Sequence, residues 1–267
     1  MDEHRTTPEQ RPAHPTRRFV LTALGLGAAG GLGAACAPNQ DQPAGAAADL
    51  PAPACVLAPE AIEGPYYIDR DLVRSEIVED RGGIPVTLRL RIVDAAACTA
   101  LQGAAVDIWH CDARGYYSGH LDLDPNAAPM PDPHVDPTDP STFLRGTQIS
   151  DRDGNVQFRT IHPGWYFGRA IHIHVMVHAG GKRVHTGQLY FPEDLNTRIE
   201  RTPGYADRPL QRVTNETDFL FQQEGGPQST LAVEPAGQDV GAGHTASITL
   251  GVNPAVTPPP ATFSPPR

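Results

Sequence analysis

Short stretches in which apolar and polar residues alternate recur along most of this chain. Residues 86–92 (Val-Thr-Leu-Arg-Leu-Arg-Ile) alternate over all seven positions, which is typical of a strand with one buried and one solvated face. No segment shows a convincing helical period, although residues 193–201 could hold a short turn of helix. Further strands are predicted at 104–111, 156–160, 171–178, 184–191 and 247–252. The pattern predicts an all-β chain, specifically a β-sandwich with long loops that form a pocket.

The composition is that of a loop-rich globular protein. The 267 residues include 28 prolines and 26 glycines, which favour turns over long helices. The formal net charge is −10 at pH 7. Binding to nucleic acid or to anionic lipid needs a basic patch, so this charge argues against nucleic-acid partners and against electrostatic attachment to a membrane.

The N-terminal residues have the pattern of an export signal. Arg17 and Arg18 directly precede an apolar run, rich in Gly and Ala, that is too short for a comfortable membrane span. We therefore predict a signal peptide of the twin-arginine type over residues 1–35 and export to the cell envelope or the medium. Cys36 follows Gly-Ala-Ala, so two alternatives stay open: a lipid anchor at Cys36, or ordinary cleavage after a small residue.

The signal is followed by a linker, a domain and a tail. Residues 36–54 form the predicted linker, residues 55–252 the predicted domain, and residues 253–267 a Pro-rich tail expected to be disordered. The chain has four cysteines, and Cys36 cannot form a disulfide if it is lipidated or removed. One disulfide is expected, and Cys55–Cys98 is the favoured pair, which leaves Cys111 free.

A His-x-His pair is the first candidate metal-binding feature. His172 and His174 lie two residues apart on a predicted strand, so both imidazoles point to the same side and can chelate one ion. The alternative is two polar residues on a solvated face. Arg169 and Tyr166 lie just upstream, and Gln188 lies on the next predicted strand, which favours a site.

The nearest oxygen ligands are tyrosines rather than carboxylates. Tyr166 and the pair Tyr116-Tyr117 precede the histidines, and no carboxylate is close in sequence. A phenolate is a hard anionic ligand and needs a strong Lewis acid, so a set of two His and two Tyr predicts non-haem iron(III), Fe(3+), in the loop-built pocket. Adjacent residues of an extended chain point to opposite sides, and spacing alone leaves the choice between Tyr116 and Tyr117 open.

Four segments in order resemble the intradiol ring-cleavage dioxygenases, the catechol and protocatechuate dioxygenase-like family. They are residues 63–67 (EGPYY), 107–117 (DIWHCDARGYY), 163–174 (PGWYFGRAIHIH) and 186–191 (TGQLYF). The likeness covers about residues 55–252 and is greatest to the exported, single-domain branch. The family's fold is a β-sandwich, in agreement with the strand pattern. The resemblance implies that a catechol-type aromatic diol and O₂ are converted to a cis,cis-muconate-type diacid.

The resemblance also implies roles for individual residues. Tyr117 is similar to the tyrosinate ligand that stays bound, Tyr166 to the tyrosinate that substrate displaces, and His172 and His174 to the histidine ligands. Arg169 resembles the arginine that steadies charge on the bound ring.

Further likenesses concern the pocket and its substrate. Gln188 resembles the pocket glutamine, and Pro65 and Tyr66 belong to the segment that enters the active site and contacts substrate. Two departures from the better-known members are Ala170-Ile171 before His172 and a shorter stretch after Tyr166. They leave the ligand set intact and the substrate open.

A binding module is the alternative to an enzyme. An exported β-sandwich that binds aromatics or polysaccharide could keep the fold and the aromatic residues with a vestigial metal site. Such a module would not need all four candidate ligands, which this chain has.

Overall fold

The computed structural model describes residues 56–70, 72–128 and 132–262. The predicted signal (1–35), the predicted linker (36–54), Cys36 and Cys55 lie outside these residues, as does the end of the predicted tail (263–267). The described part of the tail, residues 253–262, contains no helix or strand. It is tied to the domain where Arg183 Nη2 donates a hydrogen bond to the carbonyl oxygen of Pro258 at 2.8 Å.

Regular structure in the described residues is mostly strand. No helix in this part of the chain combines the length and the apolar character needed to cross a membrane. In chain order the elements are β1 (Pro85–Asp94), β2 (Thr99–Ala100), β3 (Ala105–Trp109), β4 (Arg145–Ile149), β5 (Asn155–Ile161), β6 (His172–Ala179), β7 (Lys182–Tyr190), α1 (Glu193–Ile199), α2 (Phe219–Gln223), β8 (Ala232–Pro235) and β9 (His244–Val252).

The strands form two sheets, as predicted for a β-sandwich. The first has the order β2-β1-β9-β8, with β5 also paired to β1. Its pairs are antiparallel except for β1 with β9, which are parallel. The second has the order β4-β3-β6-β7 and is antiparallel throughout.

The main core lies between the sheets and follows from the alternation in the sequence. Leu88 and Leu90 of β1 are fully buried, and Ile173 and Val175 of β6 belong to the same cluster. Residues one position away in β6 point to the opposite face of the second sheet. That face carries His172, His174 and Met176, and it is covered by loops rather than exposed.

Two long segments, residues 56–84 and 110–144, contain no helix or strand in their described residues and cover the outer face of the second sheet. In the first, the N–H of Ala61 donates to Thr186 O at 2.9 Å and that of Arg74 to Thr147 O at 3.0 Å, which binds it to both sheet edges. The second runs from His110 to Leu144, between β3 and β4. Between the loops and the sheet lies a smaller aromatic cluster that includes Tyr66, Trp109, Tyr117 and Tyr166. The candidate site is in this layer.

Candidate metal centre

The two histidines are held by the central strand of the covered sheet. In the register of the strands, His174 of β6 lies opposite Trp109 of β3 and opposite Gln188 of β7. The indole ring of Trp109 stacks on the His174 imidazole with a centroid separation of 4.9 Å and an interplanar angle of 4°. This contact fixes the plane of one candidate ligand. The Nε2 atoms of His172 and His174 are 3.1 Å apart, so both imidazoles present the same nitrogen to one point.

The tautomer of His172 follows from its hydrogen bond. Its Nδ1 lies 2.7 Å from the carbonyl oxygen of Ala170, which can only accept, so Nδ1 carries the proton. The Nε2 of the neutral ring is then a bare lone pair directed at the site, as a metal-ligating histidine requires. Burial lowers the pKa of His172 to about 3, which keeps the ring neutral at ordinary pH.

Tyr117 and Tyr166 both lie next to the histidines. The Tyr166 hydroxyl lies 3.2 Å from His172 Nε2, and the rings of Tyr117 and Tyr166 are 5.7 Å apart. The Tyr117 hydroxyl is buried and makes no hydrogen bond of normal geometry to the described residues. Tyr117 is buried whereas Tyr116 is only partly buried, and only Tyr117 belongs to the aromatic cluster with Tyr166. The structure therefore brings Tyr117, not Tyr116, to the histidines.

The four side chains fit a hard, highly charged cation. Atoms bound to one ion at about 2 Å lie roughly 3 Å from each other, which is the spacing of the two Nε2 atoms and the Tyr166 oxygen. Burial raises the pKa of Tyr117 and of Tyr166 above the ordinary value, so a phenolate here requires a compensating positive charge. In the described chain no group of three or more His, Cys, Asp or Glu could hold a metal.

Two glycines let the tyrosine-bearing loops approach each other. Gly115 has φ +93°, and a Cβ there would lie 2.3 Å from the carbonyl oxygen of Trp165. A Cβ on Gly164 would lie 2.3 Å from the carbonyl oxygen of Ala113. Because both positions exclude a side chain, the turn before Tyr117 packs directly on the turn before Tyr166.

A polar network lies beside the four candidate ligands. Arg169 Nη2 donates to Gln188 Oε1 at 2.5 Å and to the Tyr190 hydroxyl at 3.3 Å. Gln188 Nε2 donates to the carbonyl oxygen of Ile62 at 3.0 Å, so the amide orientation is fixed from both ends. The network fixes one cation next to Tyr166.

Asp218 anchors this network, and sequence reasoning did not identify it. Its carboxylate is fully buried and accepts from Arg169 Nε at 3.0 Å and from the N–H of Ala170 at 2.6 Å. The other oxygen accepts from the N–H groups of Leu220 and Phe221 and caps α2. Asp218 before an apolar run signals a helix start, but nothing local in the sequence connects it to Arg169.

Comparisons of the sequence and of the fold with known proteins identify the family. A sequence model of a family described as Dioxygenase matches residues 59–201, more than half of the chain. The solved intradiol ring-cleavage dioxygenase from Tetranychus urticae is 37% identical, with a TM-score of 0.71 over 77% of this chain and 98% of that one. The chain belongs to the intradiol ring-cleavage dioxygenase family.

Other members of the family are more distant. The dioxygenase domain of a dioxygenase and carbohydrate-binding protein fusion from Streptomyces sp. SirexAA-E is 29% identical, with a TM-score of 0.52 over 73% of this chain and 97% of that one. Catechol 1,2-dioxygenase from Acinetobacter baylyi is 30% identical over 164 residues, 52% of this chain and 48% of that protein. The present chain thus matches about half the length of the Acinetobacter baylyi enzyme.

The pocket of this family member opens onto the tyrosines. It has a volume of about 160 Å³, and Pro65, Tyr66, Tyr117 and Tyr166 line its inner end. Among the described residues, Arg169 and Gln188 are not part of the pocket wall. They are bonded to each other through Arg169 Nη2 and Gln188 Oε1. Two exposed carboxylates, Asp122 and Asp124, line the outer end of the pocket.

The cysteines lie at two distant positions of the family fold. Cys98 is disulfide-bonded, and Cys111 is a free, buried thiol. The favoured partner of Cys98, Cys55, is outside the described residues, so the Cys55–Cys98 bridge stays a prediction. Cys111 packs in the aromatic cluster with Tyr117 and Tyr166, and its thiol lies 3.6 Å from the carbonyl oxygen of Gly164.

Proposed function

We propose that this protein is a non-haem iron(III)-dependent intradiol dioxygenase that cleaves catechol-type aromatic diols with O₂ to cis,cis-muconate-type diacids. The observation that carries the proposal is the approach of the Tyr166 hydroxyl and the two Nε2 atoms of His172 and His174 to one point, with the Tyr117 ring 5.7 Å from that of Tyr166 and 6.2 Å from that of His174. Iron(III) bound by these four side chains would supply Lewis acidity, which makes a catecholate ring carbon reactive towards O₂.

Tyr166 is suited to be the exchangeable ligand. It follows Gly164 and precedes Gly168, so its loop can move without displacing a strand. Tyr166 lines the pocket whereas Arg169 does not, so we expect that outward movement of the Tyr166 ring gives a bound diol access to the guanidinium. Once displaced, the Tyr166 Oη can accept a proton from a catechol hydroxyl. Tyr117, enclosed by Tyr66 and Trp109, stays in place.

Arg169 can stabilise negative charge that develops on the ring. Its guanidinium is held by Asp218, Gln188 and Tyr190, so no reorganisation is needed as charge develops. A fixed cation in a partly dry site acts in this way on a transition state, and removing one such group costs about 10²–10³ in rate.

Pro65 and Tyr66 form an apolar wall for an aromatic ring. The ring of Tyr66 lies 4.6 Å from that of Tyr117 and 6.2 Å from that of Tyr166. The carbonyl oxygen of Pro65 accepts from the N–H of Val135 at 3.0 Å, which fixes this wall to the opposite loop. A planar diol placed against these rings is oriented and shielded from water.

Export is part of the same proposal. The twin arginines Arg17-Arg18 and the following apolar run support transport through the twin-arginine route, which suits an enzyme that acquires its metal before transport. Mass spectrometry of the mature protein decides between a free N-terminus and a lipid on Cys36.

The activity is tested by isotope labelling. Iron-loaded protein is incubated with catechol under ¹⁸O₂, and the products are analysed by mass spectrometry. We expect cis,cis-muconate with two ¹⁸O atoms, and no product from His174→Ala treated in the same way. Cleavage beside the diol, which gives a semialdehyde, or binding of catechol without oxygen uptake would contradict the proposal. The second result would favour the binding module.

A further inference from the structure

His120 lies in the pocket wall on the side away from the candidate ligands. Its side chain is 1% exposed and lines the same pocket as Tyr66 and Tyr117. The imidazole is 5.1 Å from the ring of Tyr66, which in turn is 4.6 Å from that of Tyr117. His120 therefore follows Tyr66 in a row of rings that leads outward from the candidate metal centre.

Both ring nitrogens of His120 lack a hydrogen-bond partner in the described chain. Nδ1 and Nε2 are each screened from solvent and bonded to no protein group. The other buried histidines of this region differ. His110 reaches Cys111 O and Thr160 Oγ1, and His172 and His174 face the candidate metal. Of the buried histidines that the structure describes, His120 alone has neither nitrogen bonded.

An unpartnered buried imidazole is costly unless a ligand uses it. Leaving a buried donor or acceptor unsatisfied costs about 1–3 kcal/mol, so such groups in native proteins call for an explanation. A neutral imidazole has one N–H donor and one bare acceptor, which a hydroxyl group can match in either sense.

The charge of the pocket restricts what the substituent can be. Asp122 and Asp124 line the outer end and are exposed, and no lysine or arginine is among the described residues of the wall. A carboxylate on the substrate would face these two carboxylates, and the wall itself has no cation to offset them, since the buried Arg145 guanidinium is already held by Ser118. A neutral polar group avoids this repulsion and can still bond to the imidazole.

We propose that His120 is the specificity-determining residue for ring substituents: it hydrogen-bonds to an uncharged polar group, such as a hydroxyl or hydroxyalkyl, on the catechol ring. The preferred substrates are therefore catechols with a neutral polar substituent, ahead of those with a carboxylate or a purely apolar group. This inference rests on the proposed function, because it assumes that a catechol binds at the inner end of the pocket.

The inference is tested by binding without turnover. Iron-loaded protein is titrated under argon, by calorimetry, with 4-(hydroxymethyl)catechol, 4-methylcatechol and protocatechuate. The first two differ by one hydroxyl group. We expect the wild type to bind the hydroxymethyl compound about tenfold more tightly than the methyl compound, which corresponds to one buried hydrogen bond. Protocatechuate should bind more weakly than either.

Two variants of His120 and one control complete the design. His120→Phe keeps a ring against Tyr66 but removes both nitrogens, and it should bind the hydroxymethyl and methyl compounds equally. His120→Gln keeps hydrogen-bonding capacity and should retain part of the preference. His134→Phe changes an exposed histidine outside the pocket wall and should behave as the wild type.

The possible failures are distinguishable. If His120→Phe keeps the wild-type ratio of the two dissociation constants, or if protocatechuate binds most tightly to the wild type, the role of His120 is overturned. In both cases cleavage of unsubstituted catechol by the wild type leaves the proposed function intact. If His120→Phe does not fold, a smaller preference in His120→Gln than in the wild type supports the hydrogen bond, and an unchanged ratio in His120→Gln overturns it.

Discussion

Arg169 and Asp218 form a buried ion pair in which Nε and Oδ2 are 3.0 Å apart. Asp218 also accepts the N–H of Ala170, two residues before His172, and caps α2 through its other oxygen. One carboxylate therefore connects the C-terminal segment to the charged group beside Tyr166 and to the start of the strand that carries both histidines. Asp218 lies beyond residues 59–201, where the family's sequence model matches.

Loss of the Asp218 charge should slow catalysis more than it weakens iron binding. In Asp218→Asn the guanidinium of Arg169 loses its partner and can leave its position, so kcat with catechol should fall by about 10²-fold. Iron content should stay near that of the wild type because no candidate ligand is changed. Steady-state oxygen uptake and iron analysis measure both quantities.

Asp194→Asn is the matched control for this substitution. Asp194 is exposed in α1, and its replacement should leave kcat and iron content unchanged.

Because one partner of a buried pair is lost, Asp218→Ala should lower the free energy of unfolding by about 3–5 kcal/mol. Wild-type kcat in Asp218→Asn would show that Asp218 serves the fold alone.

Tyr116 and Tyr117 offer a matched pair for the ligand assignment. Tyr117→Phe removes a buried hydroxyl at the candidate centre, so this variant should lose visible absorption and most of its iron. Tyr116→Phe removes the hydroxyl of a partly buried residue outside the aromatic cluster and should keep both. Absorption spectra and iron analysis of the two variants decide. The opposite result would exchange the two assignments.

Tyr166 and His174 should differ in how much each contributes to iron binding. Tyr166→Phe should retain iron, with an altered spectrum and slower turnover, because three ligands stay. His174→Ala should lose the metal, because the two imidazoles on β6 form the chelating pair. Equal loss of iron from both variants would show that Tyr166 is as essential to metal binding as the histidines.

The strands of the sandwich could be predicted where one face is apolar and the other polar. The alternation at residues 86–92 corresponds to β1, and the predicted strand at 171–178 corresponds to β6. β4 was missed because it has no such pattern. It buries Arg145, Gly146 and Thr147 beneath a loop, and the Arg145 guanidinium is held by Ser118. β2 and β8 are too short for a periodic signal.

The parts of the site on one strand could also be predicted, whereas long-range contacts could not. His172 and His174 are two residues apart, so local geometry is sufficient to place them together. The stack of Trp109 on His174 and the pair of Asp218 with Arg169 depend on strand register and loop packing. Trp109 is also a member of the aromatic cluster. Its contact with a candidate ligand gives it a second role.

Acid should destabilise the fold through a buried histidine pair away from the metal centre. His162 Nδ1 lies 3.4 Å from His244 Nε2, and burial lowers the pKa of His244 to about 4. The unfolded chain, with a histidine pKa near 6.5, binds more protons between these values. The stability contributed by a neutral His244 is therefore full above about pH 6.5 and is lost as pH falls towards 4.

Urea unfolding of the metal-free protein at pH 7.5 and 5.0 measures this loss. We expect His244 to contribute on the order of 1–2 kcal/mol to the difference between these two pH values. His244→Phe should show a smaller pH dependence than the wild type, whereas His134→Phe should show the same. An equal change in the free energy of unfolding between the two pH values in all three proteins would mean that His244 binds a proton as readily in the folded as in the unfolded state.

Iron loading is the most direct test of the central claim, that two tyrosines and two histidines form one ferric centre. Metal-free protein is titrated anaerobically with ferrous salt, oxidised, and examined by iron analysis and visible spectroscopy. We expect one iron per chain and a phenolate-to-iron charge-transfer band in the visible region, absent from the Tyr117→Phe, Tyr166→Phe double variant. A colourless wild-type protein, or one whose band survives in the double variant, would contradict it.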